Sequence, residues 1–172
     1  MIRGLRNVAT LVLLAASLFS CSSKDTPMTK SKAAAEILGN PEYRAISFRG
    51  YRGKELAKQP TIPQLKEDLK IMSAMGIKIL RTYNLQLAHA PNVLKAIREL
   101  KNEDPTFEMY VMLGVWIDCL NAWTDHPDHS IEDPKNNESE IQKAVRYATE
   151  CPDIVKVIAV GNEAMVHWAS SY

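Results

Sequence analysis

The chain has 172 residues, 46% of them hydrophobic and 24% charged, and 21 Lys plus Arg against 20 Asp plus Glu leave a formal charge of +1. Such a chain can bury one core, and with 7 Gly and 3 Cys it is neither a collagen nor a disulfide-dense miniprotein nor a disordered acidic tail. Its length suits a single domain, and its balanced charge lacks the broad basic field that holds a nucleic-acid backbone, so no nucleic-acid partner is expected.

The first residues, Met1 to Arg6, carry two arginines, and Val8 to Phe19 form an apolar run too short to span a bilayer. This is the layout of a secretory signal. Leu18, Phe19 and Ser20 then lead to Cys21 and a polar tether, an arrangement that resembles a bacterial lipobox with Cys21 as the lipidated mature N-terminus; Phe19 departs from the small residue usual there. The expected division is a signal over 1–21, a polar linker with a short helix over 22–40, and a domain over 41–172. Acyl chains on Cys21 would hold the protein at a membrane of the bacterial envelope.

Within the domain, short apolar runs alternate with helical patterns. Ala33 to Leu38 reads as a short helix stopped by Gly39 and Asn40, and Ala45 to Phe48 as a strand. Thr61 caps the next helix, with Gln64 as its capping-box partner and Leu65, Leu69, Met72 and Met75 along one face up to Gly76. Ile77 to Tyr83 is the second strand. A helix opening at Pro91 or Asn92 turns Val93, Leu94, Ile97 and Leu100 inward, and Phe107 to Ile117 supplies the third strand. The pattern then predicts a helix from Asn137, capped by Glu140, burying Ile141, Ala144, Val145 and Ala148 and ended by Cys151 and Pro152. Ile154 to Val160 is the fourth strand.

Strands apolar on both faces and separated by helices describe an α/β protein with parallel pairing. Both an open doubly wound sheet and the front of a (β/α)8 barrel, which needs ~250 residues when whole, fit that pattern. In either fold chemistry gathers where strands end, and those ends carry Arg49, Tyr51, Arg52, Arg81, Tyr83, Asn84, Trp116, Asp118, Asn162, Glu163, His167 and Trp168. No GxGxxG, GxxxxGK[ST] or GxSxG motif occurs, so no nucleotide cofactor and no serine esterase are expected. His126, Asp128 and His129 lie in a Pro-containing loop without ligand spacing, and no metal is expected there.

The most informative string is Ile158-Ala-Val-Gly-Asn-Glu-Ala164. An apolar strand running into Asn162 and Glu163 puts a carboxyl group beside an amide at the sheet's mouth. Apolar walls such as Trp116 and Trp168 raise a glutamate's pKa and suit it to donate a proton. A glutamate in this place also simply opens a helix, favoured by the dipole.

These residues resemble glycoside hydrolase family 17, the β-1,3-glucanases and related transglycosylases, and are most similar to its bacterial secreted members. The resemblance rests on Val157 to Glu163, Arg81-Thr-Tyr-Asn84, Ser47 to Arg52 and Val111 to Trp116, and spans about Glu42 to Trp168. It implies a (β/α)8 barrel of which this chain holds the N-terminal half, and retaining hydrolysis of β-glucan without a cofactor. By the same resemblance Glu163 is the acid/base, Asn162 contacts the sugar 2-hydroxyl, and Tyr83 forms part of a subsite with Arg81. Trp116, Trp123 and Trp168 are candidates to stack on sugar faces.

A retaining site needs two carboxyl groups ~5 Å apart. The family's nucleophile is a Glu on the seventh strand, which this chain does not reach; Asp118 is the nearest substitute. The expectation is therefore an N-terminal portion without hydrolase activity alone, its first and fourth strands left as open edges. Two further readings are a lipid-anchored β-glucan-binding module and a glucan transglycosylase. The implied barrel places Cys119 at the top of the strands and Cys151 at the bottom, ~17 Å apart. A disulfide needs Cα atoms within ~7 Å, so both thiols are expected free.

Overall fold

The structure, a computed structural model, describes residues 31–55, 57–122 and 124–162. Along the chain run α1 (Ala34–Ile37), β1 (Arg44–Ser47), α2 (Ile62–Ala74), β2 (Ile77–Arg81), α3 (His89–Glu103), β3 (Tyr110–Val115), β4 (Cys119–Leu120), β5 (Asp128–Glu132), α4 (Pro134–Glu150) and β6 (Val155–Val160). Strands β1, β2, β3 and β6 form one parallel sheet in that spatial order. The order never turns back on itself, whereas a doubly wound sheet reverses at a switch point. β4 and β5 form a separate antiparallel pair between β3 and α4.

Alternation along the strands sorts side chains into two layers. Leu80, Val111, Leu113 and Val115 face the long helices and join one cluster with Leu65 and Leu69 of α2, Val93 and Ile97 of α3, and Ala144 of α4. On the opposite side Ile79 and Tyr110 meet Ile37 and Tyr43. Full burial of a leucine such as Leu80 or Leu113 contributes about 2 kcal/mol. At the strands' N-terminal ends Glu108 accepts hydrogen bonds from the hydroxyls of Tyr43 and Tyr110, both at 3.0 Å, and pairs with Lys78 at 2.9 Å. Burial alone would push this carboxyl's pKa up, but those three partners hold it below the ordinary range.

Helix α2 begins as expected. Thr61 Oγ1 accepts from the Gln64 N–H and Gln64 Oε1 accepts from the Thr61 N–H at 3.0 Å, with Leu65, Leu69 and Met72 buried; Met75 is 60% exposed. α3 opens at His89, ahead of Pro91, because the first turn of a helix leaves its N–H groups unbonded and accepts a proline. The expected α4 needs more correction. Asp133, not Asn137, is its cap, accepting from the Asn136 N–H at 3.1 Å with Pro134 following. Glu140 is no capping partner, since its side chain is fully buried, and Ile141 and Val145 are 42% and 57% exposed.

Cys119 lies beyond the C-terminal end of β3, whereas Cys151 ends α4 ahead of β6; both thiols are free, and Cys151 Sγ meets Arg98 Nη2 at 2.8 Å. No described helix is long and apolar enough to cross a membrane.

The sheet's top depends on one close approach. A Cβ on Gly114 would meet the Thr82 carbonyl oxygen at 2.3 Å and Tyr83 backbone atoms at 2.7 Å. All are backbone and none can swing aside. Gly114→Ala is expected to cost about 3 kcal/mol, the upper range for overpacking. The urea midpoint, at unchanged slope, measures the loss.

Candidate functional site

The C-terminal ends of the parallel strands converge on a groove of about 360 Å³ lined by Arg49, Tyr51, Tyr83, Asn84, Gln86, Leu87, His89 and Trp116. Arg49 and Tyr51 follow β1, Tyr83 to Leu87 lie between β2 and α3, and Trp116 follows β3 directly. Aromatic faces and N–H donors thus share one cavity.

Tyr83 is fixed by cations: the Arg49 guanidinium carbon lies 4.3 Å and that of Arg81 5.2 Å from its ring centroid. Arg81 also donates from Nη2 to Asn162 Oδ1 at 2.8 Å, joining the ends of β2 and β6 across the intervening β3. Asn162 is 8% exposed. Because a guanidinium only donates, the amide oxygen must face it, and the Asn162 NH₂ is left to donate elsewhere. Gly161 delivers this residue to the rim at φ +79°, a conformation that favours glycine, while its N–H closes the sheet ladder on the Val115 carbonyl at 2.9 Å.

Trp116 is held through its ring nitrogen, which donates to Asp118 Oδ1 at 2.6 Å. Asn84 turns its carbonyl oxygen toward the Leu87 N–H at 3.3 Å, shaping the entry to α3. His89 is 5% exposed, with the Phe48 ring 5.5 Å and the Tyr51 ring 6.1 Å away. Its Nε2 has no hydrogen-bond partner among the described residues. Burial, aided by the charge of Arg49, pushes its pKa down to about 4, so the ring is neutral at pH 7.

Of the residues singled out from the sequence, Tyr83 and Trp116 therefore line the groove with Arg49, Tyr51 and Asn84, while Arg81 and Asn162 stand behind that lining and reach it through the contact of Arg81 with Tyr83. Arg52 does not join them: it makes a two-pronged ion pair with Asp68 of α2, at 2.7 and 2.8 Å. Glu163, His167, Trp168, Trp123 and Cys21 lie outside the described residues. Among the described residues no three His, Cys, Asp or Glu side chains gather as metal ligands. Asp128 instead caps its own turn, accepting from the N–H and hydroxyl of Ser130 at 3.0 and 2.6 Å.

Sequence reasoning missed His89, Gln86 and Leu87. The signal for His89 was present, since it stands four residues before Val93 and so extends the buried stripe of α3 back by one turn.

The His89 environment gives a pH prediction. The unfolded histidine takes up a proton near pH 6.5, the folded one only near 4, so protons favour the unfolded chain in that interval. Stability from this group is complete above pH 6.5 and falls by up to about 3 kcal/mol as pH drops toward 4. His89→Phe is expected to lose less stability over the same range, as read from urea midpoints at each pH.

Neither protein-family models nor curated proteins give a match to this chain. Among solved structures it is similar to the crystal structure of an endo-laminarinase from Formosa Hel1_33_131, with 65% identity and a TM-score of 0.78. The match covers 82% of this chain and 36% of that one, so the chain spans about a third of that protein's length.

Proposed function

We propose that this chain carries one side of a β-1,3-glucan-hydrolysing site of the glycoside hydrolase family 17 type, on the N-terminal half of a (β/α)8 barrel. The observation that carries the reading is the groove itself, lined by Tyr83 and Trp116, with Arg81 behind it holding both the Tyr83 ring and the Asn162 amide. Similarity to an endo-laminarinase at 65% identity, with barrel-like strand order, supports it.

The division of labour follows from chemistry. Asn162 directs its N–H groups to the sugar 2-hydroxyl, while Tyr83, Trp116 and Trp168 offer faces to glucosyl rings. Glu163, next to Asn162, protonates the leaving glycosidic oxygen and later deprotonates the incoming water, which makes it the acid/base. The nucleophilic carboxylate comes from residues beyond these 172. Asp118 is not assigned that role in this reading; its Oδ1 accepts from the Trp116 indole. No cofactor or metal takes part. The segment over 1–21 directs export, and lipid on Cys21 keeps the protein at the cell envelope.

Calorimetric titration of the chain with a β-1,3-gluco-oligosaccharide is expected to give saturable binding, weakened about tenfold by Tyr83→Ala. Reducing-sugar assays on β-1,3-glucan are expected to give no turnover. Absence of binding would remove the substrate assignment. Turnover by the chain alone, abolished in Glu163→Gln, would retain the acid/base and overturn the external nucleophile. Expression of Cys21→Ser in a bacterial host should shift the protein from the membrane to the soluble fraction; an unchanged distribution would exclude the anchor.

A further inference from the structure

Three side chains at three-residue spacing on α4 reach loops at the groove's edge. Asn137 accepts from the Asp118 N–H at 2.8 Å and donates to the Asp118 carbonyl at 3.0 Å. Lys143 Nζ donates to the Leu85 carbonyl at 3.4 Å. Between them, Glu140 is 0% exposed and accepts from two backbone N–H groups: Leu85, at 2.9 Å from each carboxylate oxygen, and Trp116, at 3.1 Å from Oε2.

A carboxylate taken out of water is costly unless its lone pairs are used. Here they serve loops from two different strands: the one after β2, which carries Tyr83 and Asn84, and the one after β3, which begins with Trp116. Trp116 is then anchored twice, at its backbone by Glu140 and at its indole by Asp118, which Asn137 holds in turn. Loop amides usually bond to water; these two are committed to one buried anion, and charge-assisted bonds of this kind are roughly twice as strong as neutral ones.

We infer that Glu140 is a positioning residue: with Asn137 and Lys143 it locks the Tyr83 wall and the Trp116 wall at a fixed separation and so sets the width available to a glucosyl ring. Its bearing on glucan rests on the function proposed above; the lock itself does not. Glutamine at this position would turn an NH₂ toward a backbone N–H or surrender one of the loops. Leu69, buried in α2, lies outside the groove lining, so Leu69→Ala serves as the control for general loss of stability.

Amide hydrogen exchange on the unliganded 172-residue chain tests the lock. The Leu85 and Trp116 amides are expected to exchange at least tenfold more slowly than exposed loop amides such as Lys54, and to lose that protection in Glu140→Gln. Exchange as fast as Lys54 in the unaltered chain would overturn the proposal even if the variant failed to fold. In titrations with a β-1,3-gluco-oligosaccharide, Glu140→Gln is expected to bind about tenfold more weakly, and Leu69→Ala as tightly as the unaltered chain. Equal weakening in both variants would reduce Glu140 to a stabilising residue and overturn the positioning role. A chain that binds no oligosaccharide but protects both amides would refute the glucan reading and uphold the lock.

Discussion

A single guanidinium reaching over an intervening strand ties together the strand ends behind the groove. Arg81 ends β2 and Asn162 follows β6; their 2.8 Å bond ties two strand ends that share no backbone ladder. The same guanidinium stands over the Tyr83 ring, so one cation fixes an amide and an aromatic face at once. Beneath it, backbone meets backbone at Gly114 and Thr82, whose hydroxyl accepts from the Gly114 N–H at 3.0 Å. The rim thus combines side-chain bonds between strand ends with a close main-chain approach beneath them.

Much of this was legible in the sequence where one physical demand dominated. The four parallel strands follow from their apolar runs, although only β2 and β3 gain cover on both faces, and the α2 start follows from Thr61 and Gln64, whose reciprocal bonding is purely local. The positions of Tyr83, Arg81, Asn162 and Trp116 beside strand ends were legible because the fold has no choice about which way the chain emerges there. Helix α4 was harder. Its buried face is set by Asn137, Glu140 and Ala144, and a reading by hydrophobicity rotates the helix toward Ile141 and Val145. Polar residues there satisfy loops distant in sequence, a demand that no periodicity reports.

The β4–β5 pair escaped detection for a related reason. β4 has only two residues, and β5, Asp128 to Glu132, is polar or exposed along its length and turns no apolar face to a core. Arg52 shows the opposite error: its place beside the strand-end residues suggested the groove, but Asp68 lies within reach and an ion pair claims it. Position relative to a strand end is therefore a good guide only for residues whose nearest partner is across the rim.

The sheet's middle and margins differ in kind. β2 and β3 are buried among helices, whereas β1 is exposed throughout and the outer strand β6 shows Ile158 at 39% and Val160 at 65%. Stability thus concentrates under the groove, where Leu80 and Leu113 are wholly enclosed. One orientation there fixes polarity. Since Arg81 claims the Asn162 oxygen, the amide keeps only its hydrogens for other partners, and that corner of the rim offers positive charge to acceptors by the sense of a field, without recourse to shape.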